Sequence, residues 1–200
     1  SVFVVSSLTM LLLSMFVEVF FYWNIVGFLL LMPLLAGWIQ RSWVLRLHIG
    51  YGVIVAVVTL VNFSIIPIGN LAGRYDWTIS STYGWPEVAA RIEALEREHD
   101  VNFIAATRYT TAAQLGFAMQ DAEVVTIADR HDQYDYWFDP SGHEGETALV
   151  VSDPVLGTRY ISRFFDELEL IDTIVYERFG QVIYRARIYL ATGFHARQKR

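Results

Sequence analysis

The chain has 200 residues, 54% of them hydrophobic, no cysteine and a formal net charge of −6, with a mean hydropathy of +0.35. The lack of cysteine excludes disulfides, thiolate catalysis and cysteine-ligated zinc, and the excess of acid argues against a nucleic-acid partner. So apolar a composition points to a membrane-embedded part.

The apolar residues are concentrated at one end. Between residues 1 and 68 the only charged side chains are Glu18, Arg41 and Arg46, and all others follow Gly69. This predicts a membrane segment over 1–68 and a soluble domain over 69–200, long enough for one core. The start has neither Met nor a basic stretch before its apolar run. Residue 1 is therefore expected to lie inside a longer protein.

A bilayer crossing needs about 20 apolar residues. Three stretches approach that, predicting transmembrane helices over about 2–20, 24–40 and 44–68. The first two are joined by FFYWN, an expected interfacial turn in which Tyr22 and Trp23 sit between lipid and water. Glu18 is expected close to that turn, because a carboxylate at the bilayer centre costs about 3 kcal/mol. Arg41 and Arg46 mark the second connection as cytoplasmic, which sends the third helix and the soluble domain outward. Pro33 can kink the second span.

In the soluble half, WPEVAARIEALEREH has helical spacing, with Trp85 and Pro86 at its start. VNFIAAT reads as a strand, TTAAQLGFAM as a helix, AEVVTIA and TALVVSD as strands, and SRFFDEL as a short helix. ELELIDTIVYER and QVIYRARIYLA read as two long strands around an FGQ turn. This order predicts a small α/β layer with a parallel core and a C-terminal antiparallel hairpin. The closing HARQKR reads as a basic tail.

Common chemical signatures are missing. The chain has no dinucleotide fingerprint after a strand, no phosphate-binding GxxxxGK[ST] loop, no HExxH and no GxSxG elbow. His131, His143, Asp129, Asp132 and Asp135 lie near one another in sequence, but their spacing matches no metal template, and a solvated acidic loop is the expectation.

One run of motifs is more telling. YWNIVGFLLLMPLLAGW places an aromatic turn before a Pro-containing apolar run. YGWPEVAARI opens a helix on Gly-Trp, and FIAATRYTTAAQLGFAM leads from a strand through a Tyr into a helix. QYDYW and GETALVVSD follow. In this order the chain resembles the C-terminal end of bacterial integral-membrane glycosyltransferases of the GT-C superfamily. The groups it resembles are family 39, which is protein O-mannosyltransferase-like, and the lipid A aminoarabinose transferases. The resemblance implies a membrane α-helical segment followed by a small α/β periplasmic domain, in a multi-pass protein of the bacterial inner membrane. It implies transfer of a sugar from a polyprenyl-phosphate carrier to a lipid, glycan or protein acceptor on the periplasmic side. Membrane lipids, the lipid-linked donor and further N-terminal helices of the same protein are then the expected partners. It also implies a catalytic acid in a first outer loop upstream of residue 1, so that no catalytic residue is expected here and the chain is expected to be inactive alone. The sequence itself requires no cofactor. Relatives often carry His or Asn before the turn tryptophan, where this chain has Tyr22.

Nine residues are candidates for substrate contact. Tyr22, Trp23 and Asn24 would face a lipid-carried donor, or else anchor the turn at the interface. Arg108 could meet a phosphate, and Tyr109 opens a helix after a strand, where ligands gather in α/β sheets; ordinary packing or solvation is the alternative for both. In HDQYDYWFDP, the faces of Tyr134 and Trp137 could stack on a sugar, and Gln133 and Asp135 could bond hydroxyls. The structural alternative for that loop is packing with wet polar tips. At the level of the whole chain, the alternative to an enzyme is a membrane-anchored extracytoplasmic binding or interaction domain without catalysis, or an assembly subunit of an envelope complex.

Overall fold

The computed structural model describes residues 2–17, 19, 24–39, 41–74, 76–121, 123–152 and 157–196. The chain divides into two compact units, Ser1–Val58 and Thr59–Arg200. Each is described by itself.

The first unit holds α1 (Val2–Leu13), α2 (Ile25–Trp38) and most of α3 (Ser42–Ser64). α1 and α2 pack as an antiparallel pair. Phe3 meets Phe28 edge-on at 5.2 Å. Asn24, just before α2, accepts a hydrogen bond from Ser6 Oγ at 2.5 Å and donates one to Ser7 Oγ at 2.8 Å. Such side-chain bonds hold apolar helices together where burial alone gives little preference.

The three transmembrane helices expected over 2–20, 24–40 and 44–68 do not form among the described residues. α1 has 12 residues and α2 has 14. At about 1.5 Å per residue they span about 18 and 21 Å, short of the roughly 30 Å hydrocarbon core. Pro33 sits inside α2 without ending it. The first apolar run stops being helical because its backbone tightens: Met15 and Phe16 donate to Leu12 and Leu13, three residues back rather than four. A count of apolar letters cannot sense that change. One helix among the described residues, Ser42–Ser64, is long and apolar enough to cross a membrane.

The second unit is a five-stranded mixed sheet of order β2-β1-β3-β5-β4. Its strands are β1 (Phe103–Ala106), β2 (Val125–Thr126), β3 (Ala148–Ser152), β4 (Glu167–Arg178) and β5 (Gln181–Thr192). β1 pairs in parallel with both β2 and β3, and β5 runs antiparallel to β3 and β4. Helices α4 (Ile68–Leu71), α5 (Trp77–Ser80) and α6 (Trp85–Glu98) precede β1, and α7 (Tyr109–Met119) joins β1 to β2.

Alternation sorts the strands into two cores. Ile104, Ala106, Leu149, Val151 and Ala186 face α6 and α7. Phe103, Ala105, Ala148, Val150 and Ala191 face the other side, with Phe165 and Phe194. β1 and β3 are buried on both faces, which explains their unbroken apolar runs. α6 supplies Trp85, Val88, Ala89, Ile92 and Leu95 to the first core, the stripe expected of a helix with one buried face. The Trp85 indole donates to the Ser81 carbonyl at 2.8 Å and packs on Tyr184 with ring centroids 5.4 Å apart. Gly84 starts this helix at φ 79°, and a Cβ there would lie 2.8 Å from Tyr176 Cγ. SRFFDEL, expected to be helical, yields only a 3-10 turn at Ile161–Phe164 before β4 begins.

Candidate functional site

The stretch HDQYDYWFDP crosses the edge of the sheet. β2 pairs only with β1, so its outer side needs cover. The segment supplies it: Tyr134 packs against the α6–α7 core, while Phe138 packs into the core on the opposite face. Phe138 lies with its ring centroid 5.5 Å from Phe103, 4.9 Å from His143 and 5.9 Å from Phe194.

Its acids are used locally. Gln133–Tyr136 form a 3-10 turn closed by a capping box. Asp132 accepts from the Tyr134 amide at 2.8 Å, and Asp135 accepts from the Asp132 amide at 2.6 Å. Asp135 also pairs with His131 at 3.0 Å. Asp139 accepts from the amide and hydroxyl of Ser141, bonds that hold its carboxyl below the usual range. The cost of ordering the loop is thus met by its own polar groups.

This rigid turn presents an aromatic pair. Tyr134 and Trp137 meet edge-to-face, centroids 5.3 Å apart. Trp137 is 67% exposed. Burial, followed by repulsion from Asp132, pushes the Tyr134 hydroxyl to a higher pKa. The pair stands between two hollows. One, of about 650 Å³, opens toward α7 over Ala113, Gly116 and Phe117. The other is a cleft of about 470 Å³ at the amino ends of β1 and β2. Glu96, Asn102, Asp121, Glu123 and Asp139 line it together with Tyr134, Trp137, Phe138 and His143. Glu96 has a raised pKa, first from burial and then from Asp121 and Glu93 nearby. An aromatic face beside carboxylate and amide oxygens can stack on a ring and accept hydrogen bonds from its hydroxyls.

A smaller hollow, of about 300 Å³, lies at the carboxyl ends of the parallel strands, lined by Thr107, Asp129, Arg159, Tyr160 and Arg163 among others. Nearby, the Arg130 guanidinium lies 5.9 Å over the Tyr109 ring. That contact ties the start of α7 to the chain entering the aromatic loop.

Of the nine sequence candidates, the fold brings Tyr134 and Trp137 together at the cleft. Tyr109, half-exposed, touches the same loop through Arg130. Arg108 is the residue before α7, extended and partly buried. Gln133 is exposed at the start of the 3-10 turn, and Asp135 is committed to that turn's cap. Asn24 belongs to the other unit, where it fastens α1 to α2. Tyr22 and Trp23, with Glu18, lie outside the described residues. Among the described residues no three His, Asp or Glu side chains are grouped to hold a metal. Glu96, Asn102, Asp121 and Glu123 escaped sequence reasoning. They come from the last turn of α6 and from the α6–β1 and α7–β2 connections, and no local pattern marks them.

Compared with family models, curated proteins and solved structures, the chain matches none.

Proposed function

We propose that this chain is part of an enzyme of the bacterial inner membrane that transfers a sugar from a polyprenyl-phosphate carrier to an acceptor on the periplasmic side. In this reading the α/β domain holds a sugar ring at the Trp137 cleft. The observation that carries it is the cleft's lining: an exposed indole on a pre-ordered turn, beside four carboxylates and an amide. Such a surface suits a polyhydroxylated ring better than a flat apolar ligand. The motif order supports the lipid carrier, and α3 supports attachment to a membrane. The motif order puts the catalytic acid upstream of residue 1, and Asp132, Asp135 and Asp139 hold the loop together, each accepting hydrogen bonds within it.

That commitment of the loop acids favours a second reading, in which the domain binds a glycan without catalysis. Two measurements test the pair. Saturation-transfer NMR of the full chain in detergent, with neutral hexoses, pentoses and their amino derivatives, is expected to show at least one bound sugar, lost in Trp137→Ala. No transfer to any sugar refutes both readings. Membranes containing the complete protein are then given a radiolabelled polyprenyl-phosphate sugar. Movement of label into an acceptor fraction selects the enzyme, and binding without movement selects the glycan-binding domain.

A further inference from the structure

Two contacts fasten the α/β unit to the end of the apolar helix, and a third ties the short helix α4 to the hairpin. Arg178, at the tip of the β4–β5 hairpin, donates to the carbonyl of Ser64, the last residue of α3, at 3.1 Å. Tyr83 donates to the Asn62 carbonyl at 2.6 Å. Asn70 of α4 donates to the Val182 carbonyl, one residue into β5, at 3.1 Å. Beneath them Ile66, Tyr83 and Ile183 form a small core of their own. Hairpin tip, helix end and α4 therefore lie at one level.

What these elements expose at that level is apolar. Phe179 is 69% exposed, Leu71 64%, Ile65 43% and Ile68 38%. Phe179 is unusual in a second way. The two-residue turn Phe179–Gly180 joins strands paired at Arg178 and Gln181. Both turn residues have positive φ, 52° at Phe179. Such turns favour Asn or Gly at the first position, and a bulky side chain is disfavoured in this backbone region. Here the ring, 69% exposed, gains little burial in return. The Arg178 guanidinium lies 5.7 Å over it.

We propose that the hairpin tip and α4 rest on the lipid surface from which α3 emerges, with the Phe179 ring at the headgroup boundary. This rests on the reading of α3 as a membrane span. Phe and Leu side chains enter that boundary in interfacial segments, and Arg178 beside Phe179 and the exposed Arg74, three residues after Leu71, suit an interface carrying anionic lipid. The partner is a bilayer because the exposed rim is continuous with the end of an apolar helix of 23 residues. Contact there would hold the Trp137 cleft at a fixed orientation to the membrane.

The chain contains no cysteine, so single nitroxide labels can be placed cleanly. The full chain is reconstituted in phosphatidylethanolamine–phosphatidylglycerol vesicles with a label at Phe179→Cys, Leu71→Cys, Val55→Cys or Phe117→Cys, one at a time. Each position is exposed, so the substitutions spare the core, and circular dichroism checks the fold. Collision with oxygen against collision with a water-soluble nickel complex reports depth. Val55→Cys is expected deep in hydrocarbon and Phe117→Cys fully in water, with Phe179→Cys and Leu71→Cys at the headgroup boundary. If Val55→Cys is deep but Phe179→Cys behaves like Phe117→Cys, the hairpin contact is wrong while the span stands. If Val55→Cys is in water, the span fails and takes the contact with it.

Discussion

Trp137 and Phe138 are neighbours in sequence, yet the fold gives them opposite work, and replacing each by alanine separates the two. Trp137 is 67% exposed, so about a third of its side chain leaves water on folding. For an aromatic that buries about 200 Å² when fully covered, this is about 70 Å². At about 25 cal/mol per Å² it is worth about 2 kcal/mol, an upper bound because unfolded chains already bury some surface. Phe138 packs against Phe103, His143 and Phe194 under the sheet edge. Its removal leaves a cavity and is expected to cost about 2–4 kcal/mol, below the full range for Phe→Ala because the ring is partly exposed. The assay is denaturant unfolding of the full chain in detergent, followed by circular dichroism, with sugar affinity measured on each variant by NMR titration. Trp137→Ala is expected to lose at most about 2 kcal/mol of stability but to weaken sugar binding by about 10-fold or more, the scale on which an aromatic platform contributes to stacking. Phe138→Ala is expected to be the less stable variant and, because its ring lines the inner wall of the cleft, to lose affinity in its folded fraction by less than Trp137→Ala does. A Trp137→Ala protein that binds sugar as well as wild type, or that unfolds more readily than Phe138→Ala, would refute this division.

Two further outcomes follow from packing and charge. Gly84→Ala puts a Cβ 2.8 Å from Tyr176 Cγ at φ 79°, adding overpacking of about 1–3 kcal/mol to a left-handed backbone penalty of about 1–2 kcal/mol. Gly180→Ala, at φ 71° with nothing within 4 Å of its Cβ, carries only the backbone part, so equal losses in the two variants, read from urea midpoints, would remove the claimed clash. Glu96 has a folded pKa raised above the usual carboxyl value by desolvation, then by Asp121 and Glu93. A raised carboxyl favours folding while protonated, and that benefit is lost as pH rises from about 4.5 through the folded value. Glu96→Gln is therefore expected to raise the melting temperature at pH 7 and to leave it unchanged below pH 4. A melting temperature lowered at pH 7 would contradict the repulsive cleft.

Much of the α/β layer was legible because its signals are local. The stripe from Trp85 to Leu95, the doubly buried runs of β1 and β3, and the alternation of β5 each follow from burial of a face with a fixed period. The FGQ turn was also legible, from the residues between two long strands. β2 was harder. Only Val125 and Thr126 form its ladder, although the apolar run is longer, because strand length is set by partners and not by propensity. Two of the loop residues singled out for a site, Tyr134 and Trp137, do line the cleft. Asp135 does not serve as a free acceptor, because capping consumes it. Asn24 was a candidate for a donor contact and is instead a fastener between helices.

The apolar half shows where sequence reading stops. Its composition by itself fixed that 1–68 is rich in lipid-compatible side chains and 69–200 is not. It could not fix how many helices are long enough to cross, since that depends on where the backbone ladder breaks, and the break after Leu13 has no Gly or Pro to announce it. The cleft is the same kind of case. Glu96, Asn102, Asp121 and Glu123 meet Trp137 only because β1 and β2 lie side by side and the aromatic loop folds over their edge. Periodic burial along one segment is written in that segment. The meeting of distant segments is written in the packing of the whole sheet, which no single stretch contains.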